Sequence, residues 1–180
     1  MTEKEIYANR VRFISELSRN GMNEKFMQWL EGTDFFEAPA STKYHGAEKG
    51  GLCAHSLAVA SHMEQTESAQ FVALVHDICK ENFYIISSRN VKDEDGHWQQ
   101  VPYYAIEDQL PMGHGEKSLY LVTKFFNVTD EEAAAIRWHM GTSDASEASG
   151  KYAITQAFDK YPLAVKLHIA DLTATFIDKK

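Results

Sequence analysis

The sequence predicts an all-α helical bundle carrying one small β-hairpin, as a single domain over residues 1–180. Three observations lead there. Apolar residues recur at helical spacing through most of the chain, as in Ile6, Val11, Phe13, Ile14 and Leu17. Between residues 83 and 106 that period gives way to two β-type runs around an Asp-Gly turn signal. No internal repeat or linker divides the chain, and 180 residues can bury a core without disulfide staples.

The elements follow in order. A first helix is expected over about residues 3–17, ended by Asn20-Gly21. Asn23 caps a second, which contains Phe26, Trp29 and Leu30. Residues 33–51 form a loop with Pro39 and the pair Gly50-Gly51, and helices follow over 52–63 and 68–79. Phe83-Tyr84-Ile85-Ile86 and Val101-Pro102-Tyr103-Tyr104 then flank Asp93-Glu94-Asp95-Gly96 as a two-stranded excursion. Helix returns over 114–126. Thr129, with Glu132 three positions later, forms a capping-box pattern opening a helix that reaches His139. A polar loop over 141–150 leads to two last helices, 153–161 and 162–177.

Charge limits the partners. Eighteen Lys and Arg against 26 Asp and Glu give a net charge of −8, and the largest basic clusters are pairs. Duplex nucleic acid needs a basic stripe that releases many counterions, and none is visible. Small anionic substrates remain compatible, because local cations and a bound metal reverse the field inside a pocket. Cys53 and Cys79 form no CxxC pair and read as core residues in a reducing compartment. No apolar run reaches the roughly 20 residues of a membrane span, and MTEKEIYANR does not read as a signal peptide, so a cytoplasmic protein is expected.

Ligand-type residues come in a fixed order: His55, the pair His76-Asp77, His114, His139 and Asp171, all in or at the ends of expected helices. Imidazole and carboxylate together suit Mn, Fe, Co, Ni or Zn, with Mg where carboxylates and water dominate. Adjacent His76 and Asp77 project about 100° apart on a helix. They can both reach an ion in the groove beside the helix end. A His-Asp pair closing the apolar run Phe71-Val72-Ala73-Leu74-Val75 is costly unless something compensates, and a metal does so. Taken alone, the pair reads equally well as a satisfied core histidine and a polar helix end.

The wider pattern resembles the HD superfamily of metal-dependent phosphohydrolases over residues 43–171. The residues that carry the resemblance are Gly50-Gly51-Leu52-Cys53-Ala54-His55-Ser56-Leu57 and Val75-His76-Asp77-Ile78-Cys79-Lys80. They continue with Gly113-His114-Gly115-Glu116, Arg137-Trp138-His139-Met140-Gly141 and His168-Ile169-Ala170-Asp171. The resemblance implies an HD-domain helical bundle in which His55, His76, Asp77 and Asp171 hold a first metal. His114 and His139 match the extra histidines of binuclear members and imply a second ion bridged by Asp77; opening and closing a helix is the plain alternative for these two. Two metals would generate a water-derived nucleophile and neutralise phosphoryl charge, so no side-chain nucleophile is required.

Around that set, Lys80 lies one turn beyond Asp77 and is expected to contact substrate phosphate or the leaving oxygen, a solvated helix-end lysine being the alternative. His45, in the Gly-rich loop, is expected as a substrate contact or donor behind the metal ligands. His168, on the Asp171 face of its helix, is expected to orient that carboxylate or bind substrate. His62 and His97 read as structural or exposed. The expected activity is hydrolysis of a phosphoester of a nucleotide or short oligonucleotide by a metal-activated water. Three alternatives stay open: 3′–5′ exoribonuclease-like action on single strands, a non-catalytic nucleotide-binding module, and a di-iron oxygenase. Hairpin aromatics Tyr84, Trp98, Tyr103 and Tyr104 serve either base stacking or packing.

Overall fold

The computed structural model describes residues 1–17, 23–43, 45–144 and 148–178. Among them, eight α-helices surround a common core and one two-stranded antiparallel sheet projects from it. α1 (Glu3–Glu16) starts on a capping box in which Thr2 accepts the Glu5 amide and the Glu5 carboxylate accepts the Thr2 amide. α2 (Glu24–Glu31) starts at Asn23, as its sequence signal predicts. The Asn23 Oδ1 accepts the Phe26 amide at 3.1 Å, and its Nδ2 donates to the Phe125 carbonyl at 2.6 Å, tying this end to a distant segment. The Asn20-Gly21 stop lies outside the described residues.

α3 (Gly51–Ser61) and α4 (Glu67–Val75) follow, the second capped by Thr66. Gly51 makes the start of α3 possible. A Cβ there would stand 2.1 Å from the Gly46 carbonyl oxygen, so only glycine lets the loop carrying His45 lie against the helix carrying His55. After the hairpin come α5 (His114–Thr123) and α6 (Asp130–Trp138), the latter opened by the Thr129–Glu132 capping box. α7 (Ala148–Lys160) and α8 (Pro162–Phe176) complete the bundle, with proline in the first turn of α8.

Where the helices end differs from expectation. The helix expected over residues 68–79 stops at Val75, and the chain passes through His76 and Asp77 into a 3₁₀ turn at Ile78–Lys80. Asp77 adopts φ −104° and ψ 17°, outside the helical region, and its side chain points inward. α6 likewise stops one residue short of His139, and α5 ends at Thr123 instead of near residue 126. The loop expected over 141–150 contains a second 3₁₀ turn (Gly141–Asp144), and α7 already begins at Ala148.

Aromatic and aliphatic side chains fill the centre. Phe13 meets Phe35 at 5.0 Å between ring centroids, and Phe126 meets Phe26 at 5.0 Å and Phe71 at 5.1 Å. Leu52, Leu74, Ile78, Ile136 and Leu167 are wholly buried, each worth about 1.5–3 kcal/mol of transfer free energy. α8 packs against α3, α4, α6 and α7. Elements distant in sequence thereby converge at one end of α4.

β1 (Tyr84–Lys92) and β2 (Trp98–Ile106) pair with Tyr84 opposite Ile106 and Lys92 opposite Trp98. The turn rests on Asp93, whose Oδ1 accepts the amides of Asp95 (3.1 Å) and His97 (2.8 Å), while Gly96 takes φ 83°. At its base, the Tyr84 hydroxyl donates to the Ala40 carbonyl at 3.3 Å. Most of the ribbon is exposed, including Ile86 and Trp98. No helix among the described residues is long and apolar enough to cross a membrane.

Candidate metal centre

The ends of two helices carry matching histidines. His76 caps α4 and His139 caps α6. Each ring folds back so that Nδ1 donates to the carbonyl three residues earlier, Ala73 for His76 and Ile136 for His139, both at 2.7 Å. A carbonyl only accepts, so Nδ1 bears the proton and the neutral ring presents a lone pair at Nε2. The two rings stand 4.9 Å apart at 76°. α3 contributes His55, its ring 5.3 Å from that of His76, and α8 contributes Asp171.

The three histidines meet Asp77. The Nε2 atoms of His139, His76 and His55 lie 3.5, 3.6 and 3.7 Å from its carboxylate oxygens, and His55 Nε2 lies 3.1 Å from Asp171 Oδ1. None of the three Nε2 atoms has a hydrogen-bond partner, nor does Asp77 Oδ1, although all four are buried. Orphaned buried polar atoms are expensive, and a metal ion would satisfy all four. Atoms each about 2.1 Å from one tetrahedral or octahedral ion stand about 3.0–3.4 Å apart, close to the observed spacing. Two overlapping groups, His55-His76-Asp171 and His76-Asp77-His139, each with ligand atoms within 4.8 Å of one another, are therefore able to hold a metal ion.

Electrostatics agree with that chemistry. Burial alone would raise the Asp77 pKa, but Lys80, His76 and His139 outweigh it and hold the carboxyl well below its usual range. Burial is likewise overcome at Asp171, chiefly by His55 and then His76, and that carboxyl too is lowered. Lys80 Nζ donates to Asp77 Oδ2 at 2.6 Å; burial opposes its charge, yet the Asp77 carboxylate raises its pKa above the ordinary lysine value. Burial lowers His76 to about 4, against the pull of Asp77. At His139 burial is outweighed by the Asp77 carboxylate and the pKa rises.

The remaining expected residues fall in different places. The His45 ring lies 4.7 Å from that of His55, and both its nitrogens are buried without a partner. Burial, then the neighbouring His55, lower its pKa to about 4, so it is neutral at physiological pH. His168 donates from Nδ1 to the His139 carbonyl at 2.6 Å, supporting that residue from behind. Gly141 makes room for this contact: a Cβ there would stand 2.6 Å from the His168 ring, and the backbone takes φ 61°. His114 belongs to neither group of ligands. Its Nδ1 lies 3.4 Å from Cys79 Sγ, and its ring faces Phe83. His62 pairs with Asp178 at 2.6 Å, and His97 is exposed at the hairpin tip. Arg137 pairs with Glu116 instead of facing the site. Cys79 is buried, and burial pushes its thiol up to about 12, which removes it as a nucleophile.

A cavity of about 500 Å³ opens onto these groups, with Asp77, Lys80, His45, His139, His168 and Asp171 in its walls. Sequence reasoning missed Thr175, whose hydroxyl donates to Asp171 Oδ1 at 3.2 Å. It also missed Met140, Leu172 and Phe176, the apolar part of the same wall. Helical spacing from Asp171 would have found Thr175, one turn further along α8. Comparison with known proteins finds no matching family model, no matching curated protein and no matching solved structure.

Proposed function

We propose that this chain is a metal-dependent phosphohydrolase of the HD type, acting on a phosphoester of a nucleotide or short oligonucleotide. One observation carries the reading: three imidazole lone pairs, two with tautomers fixed by backbone carbonyls, converge unpartnered on one ionised carboxylate at the floor of a cavity. His55, His76, Asp77, His139 and Asp171 would hold the ion or ions, with Mn, Fe, Co, Ni, Zn or Mg compatible with the donor set. When bound, a divalent cation supplies Lewis acidity and a water acidified toward neutral pH.

The side chains do the rest. Lys80 keeps its ammonium at the cavity wall, with one N–H on Asp77 and others available to phosphoryl oxygens as charge builds there. His45 is neutral and offers both a donor and an acceptor nitrogen to a ligand. His168 fixes the backbone of His139 and so the direction of its ring. No thiol or hydroxyl nucleophile is needed for attack on phosphorus.

The test combines metal analysis with phosphate release from mono-, di-, cyclic and oligonucleotides. Metal-dependent release by the wild type, abolished together with metal binding in Asp77→Ala, is the expected result. Full metal content and turnover in Asp77→Ala refute the site. A second reading, action on single-stranded RNA ends, draws on the hairpin, where Arg89 lies over Tyr103 at 5.4 Å and Lys92 over the exposed Trp98 at 5.2 Å. Faster cleavage of long strands with a steep salt slope would favour it.

A further inference from the structure

The cavity above the ligands has two unlike walls. Asp77, Lys80, His139 and Asp171 make one of them charged. The other is apolar: Leu172 and Phe176 stand one turn apart on the outer flank of α8, joined by Met140 from the end of α6. Leu172 is 43% and Phe176 63% exposed, so this wall faces solvent at the mouth of a buried polar site. Apolar surface held beside a polar pocket is characteristic of small-ligand sites, where it takes up the uncharged part of the ligand.

Polar atoms interrupt the apolar wall. His168 lines this wall and uses Nδ1 on the His139 carbonyl, which leaves Nε2 as the ring's other polar atom. Ser143 adds a hydroxyl on the same side. A purely aliphatic leaving group would cover these atoms without pairing them, at a cost of about 1–3 kcal/mol for each one desolvated. A flat heterocycle with polar edges satisfies both kinds of surface. Among the described residues lining the cavity, Lys80 is the only Lys or Arg, and Asp77 already shares its charge. That complement suits one phosphate group above the ligands and supplies nothing for a polyphosphate chain.

Resting on the phosphohydrolase reading, we propose that Leu172 and Phe176 form the base-binding platform of a nucleoside monophosphate site. The phosphate lies over Asp77 and Lys80, the base lies against the Leu172–Phe176 pair, and His168 Nε2 and Ser143 meet the polar edge or the ribose. Selectivity for a nucleotide over other phosphate esters resides in these two side chains of α8.

Calorimetry on the full chain with Mn²⁺ tests this through binding alone. The probes are the phosphonate isostere of adenosine 5′-monophosphate and 3,4-dihydroxybutylphosphonate, which has the same charge and hydroxyls but no base. Wild type is expected to prefer the nucleotide isostere. Phe176→Ala should weaken that isostere about tenfold, as loss of a stacking partner does, and leave the other probe within about twofold. Leu172→Ala should act in the same direction. Because both side chains are exposed, folding is not at stake, and an unchanged melting temperature checks it. Equal loss for both probes, unchanged nucleotide affinity in both variants, or no preference in wild type overturns the platform. Selective binding without phosphate release from any nucleotide leaves the platform standing and removes the hydrolase reading. Phosphate release unaltered in selectivity by Phe176→Ala does the reverse.

Discussion

Asp77→Asn keeps the shape of the side chain and removes its charge. In the metal-free protein that charge faces the Lys80 ammonium at 2.6 Å, with the two side chains 3% and 11% exposed. Breaking one side of a buried ion pair costs about 3–5 kcal/mol, because the remaining charge is left uncompensated. For a chain of 180 residues, about 3 kcal/mol corresponds to a fall in Tm of about 6–12 °C. The assay is thermal and urea unfolding of chelator-treated protein, followed by far-ultraviolet circular dichroism. Asp77→Asn/Lys80→Met should recover most of the loss, since no unpaired charge then remains, and the double-mutant cycle isolates the coupling. The pH range follows from the directions of the shifts. A depressed Asp77 contributes above its unfolded value of about 3.9, and that contribution is lost as pH falls through the folded value. A raised Lys80 contributes below about 10.4, and loses it as pH rises through the folded value. His139, raised by the same carboxylate, adds a part of the deficit that is present below about 6.5 and is lost as pH rises through its folded value, so the deficit of Asp77→Asn should be larger at about pH 6 than at about pH 9. A melt within about 2 °C of wild type, or a double variant no better than the single one, refutes the pairing energy assigned to Lys80.

Other expectations concern the ligands and their supports. His139→Ala should lower metal affinity by more than about tenfold, and by more than His114→Ala, whose ring sits against Cys79 and Phe83; competition with a chromogenic chelator ranks them, and the reverse order refutes this reading. Gly141→Ala should cost about 1–3 kcal/mol in urea unfolding, because the position has φ 61° and the new Cβ meets the His168 ring, whereas an unchanged midpoint would mean that His168 moves freely. The metal-free protein should lose stability as pH falls from about 6.5 toward 4. His45 and His76 are both held neutral in the folded state, with pKa values lowered to about 4, and protonate more readily once unfolded. His45→Asn should flatten that slope. Iodoacetamide should modify Cys79 far more slowly than a free thiol at pH 8, since burial pushes it up to about 12; mass spectrometry of the labelled chain reads the rate.

Much of this arrangement was legible because local chemistry and global packing agree. Thr129 with Glu132, Asn23 and the Asp-Gly turn each act through hydrogen bonds with near neighbours in the chain, and all three elements form as their signals predict. For His55, His76, Asp77, His139 and Asp171 the residues alone were ambiguous, and it was the resemblance of the wider pattern that marked them as ligands; the structure brings their side chains together in two groups able to hold an ion. The missed features depend on the third dimension. Nothing in the apolar periodicity of residues 68–79 says that the helix stops at Val75, where Asp77 turns toward His55 of α3 and His139 at the end of α6. His114 and His139 looked alike as residues at helix boundaries. Only packing separates them, one beside Cys79 and the other against Asp77.

The helix ends themselves favour a cation at this point. The last turn of a helix leaves carbonyl groups without intrahelical partners, and the end carries partial negative charge. α4 and α6 both terminate here, and each spends one carbonyl, of Ala73 and of Ile136, on fixing the Nδ1 proton of its capping histidine. That hydrogen bond makes the opposite nitrogen more basic and aims it at the same carboxylate. Two helix C-termini and two lowered carboxyl groups thus face one small volume, balanced among the described residues near it by Lys80, which reaches Asp77 alone. Such a field repels anions until a cation enters. Under the proposed function, metal binding would therefore come before phosphate binding, and phosphate affinity should rise with metal occupancy and vanish in the chelated protein.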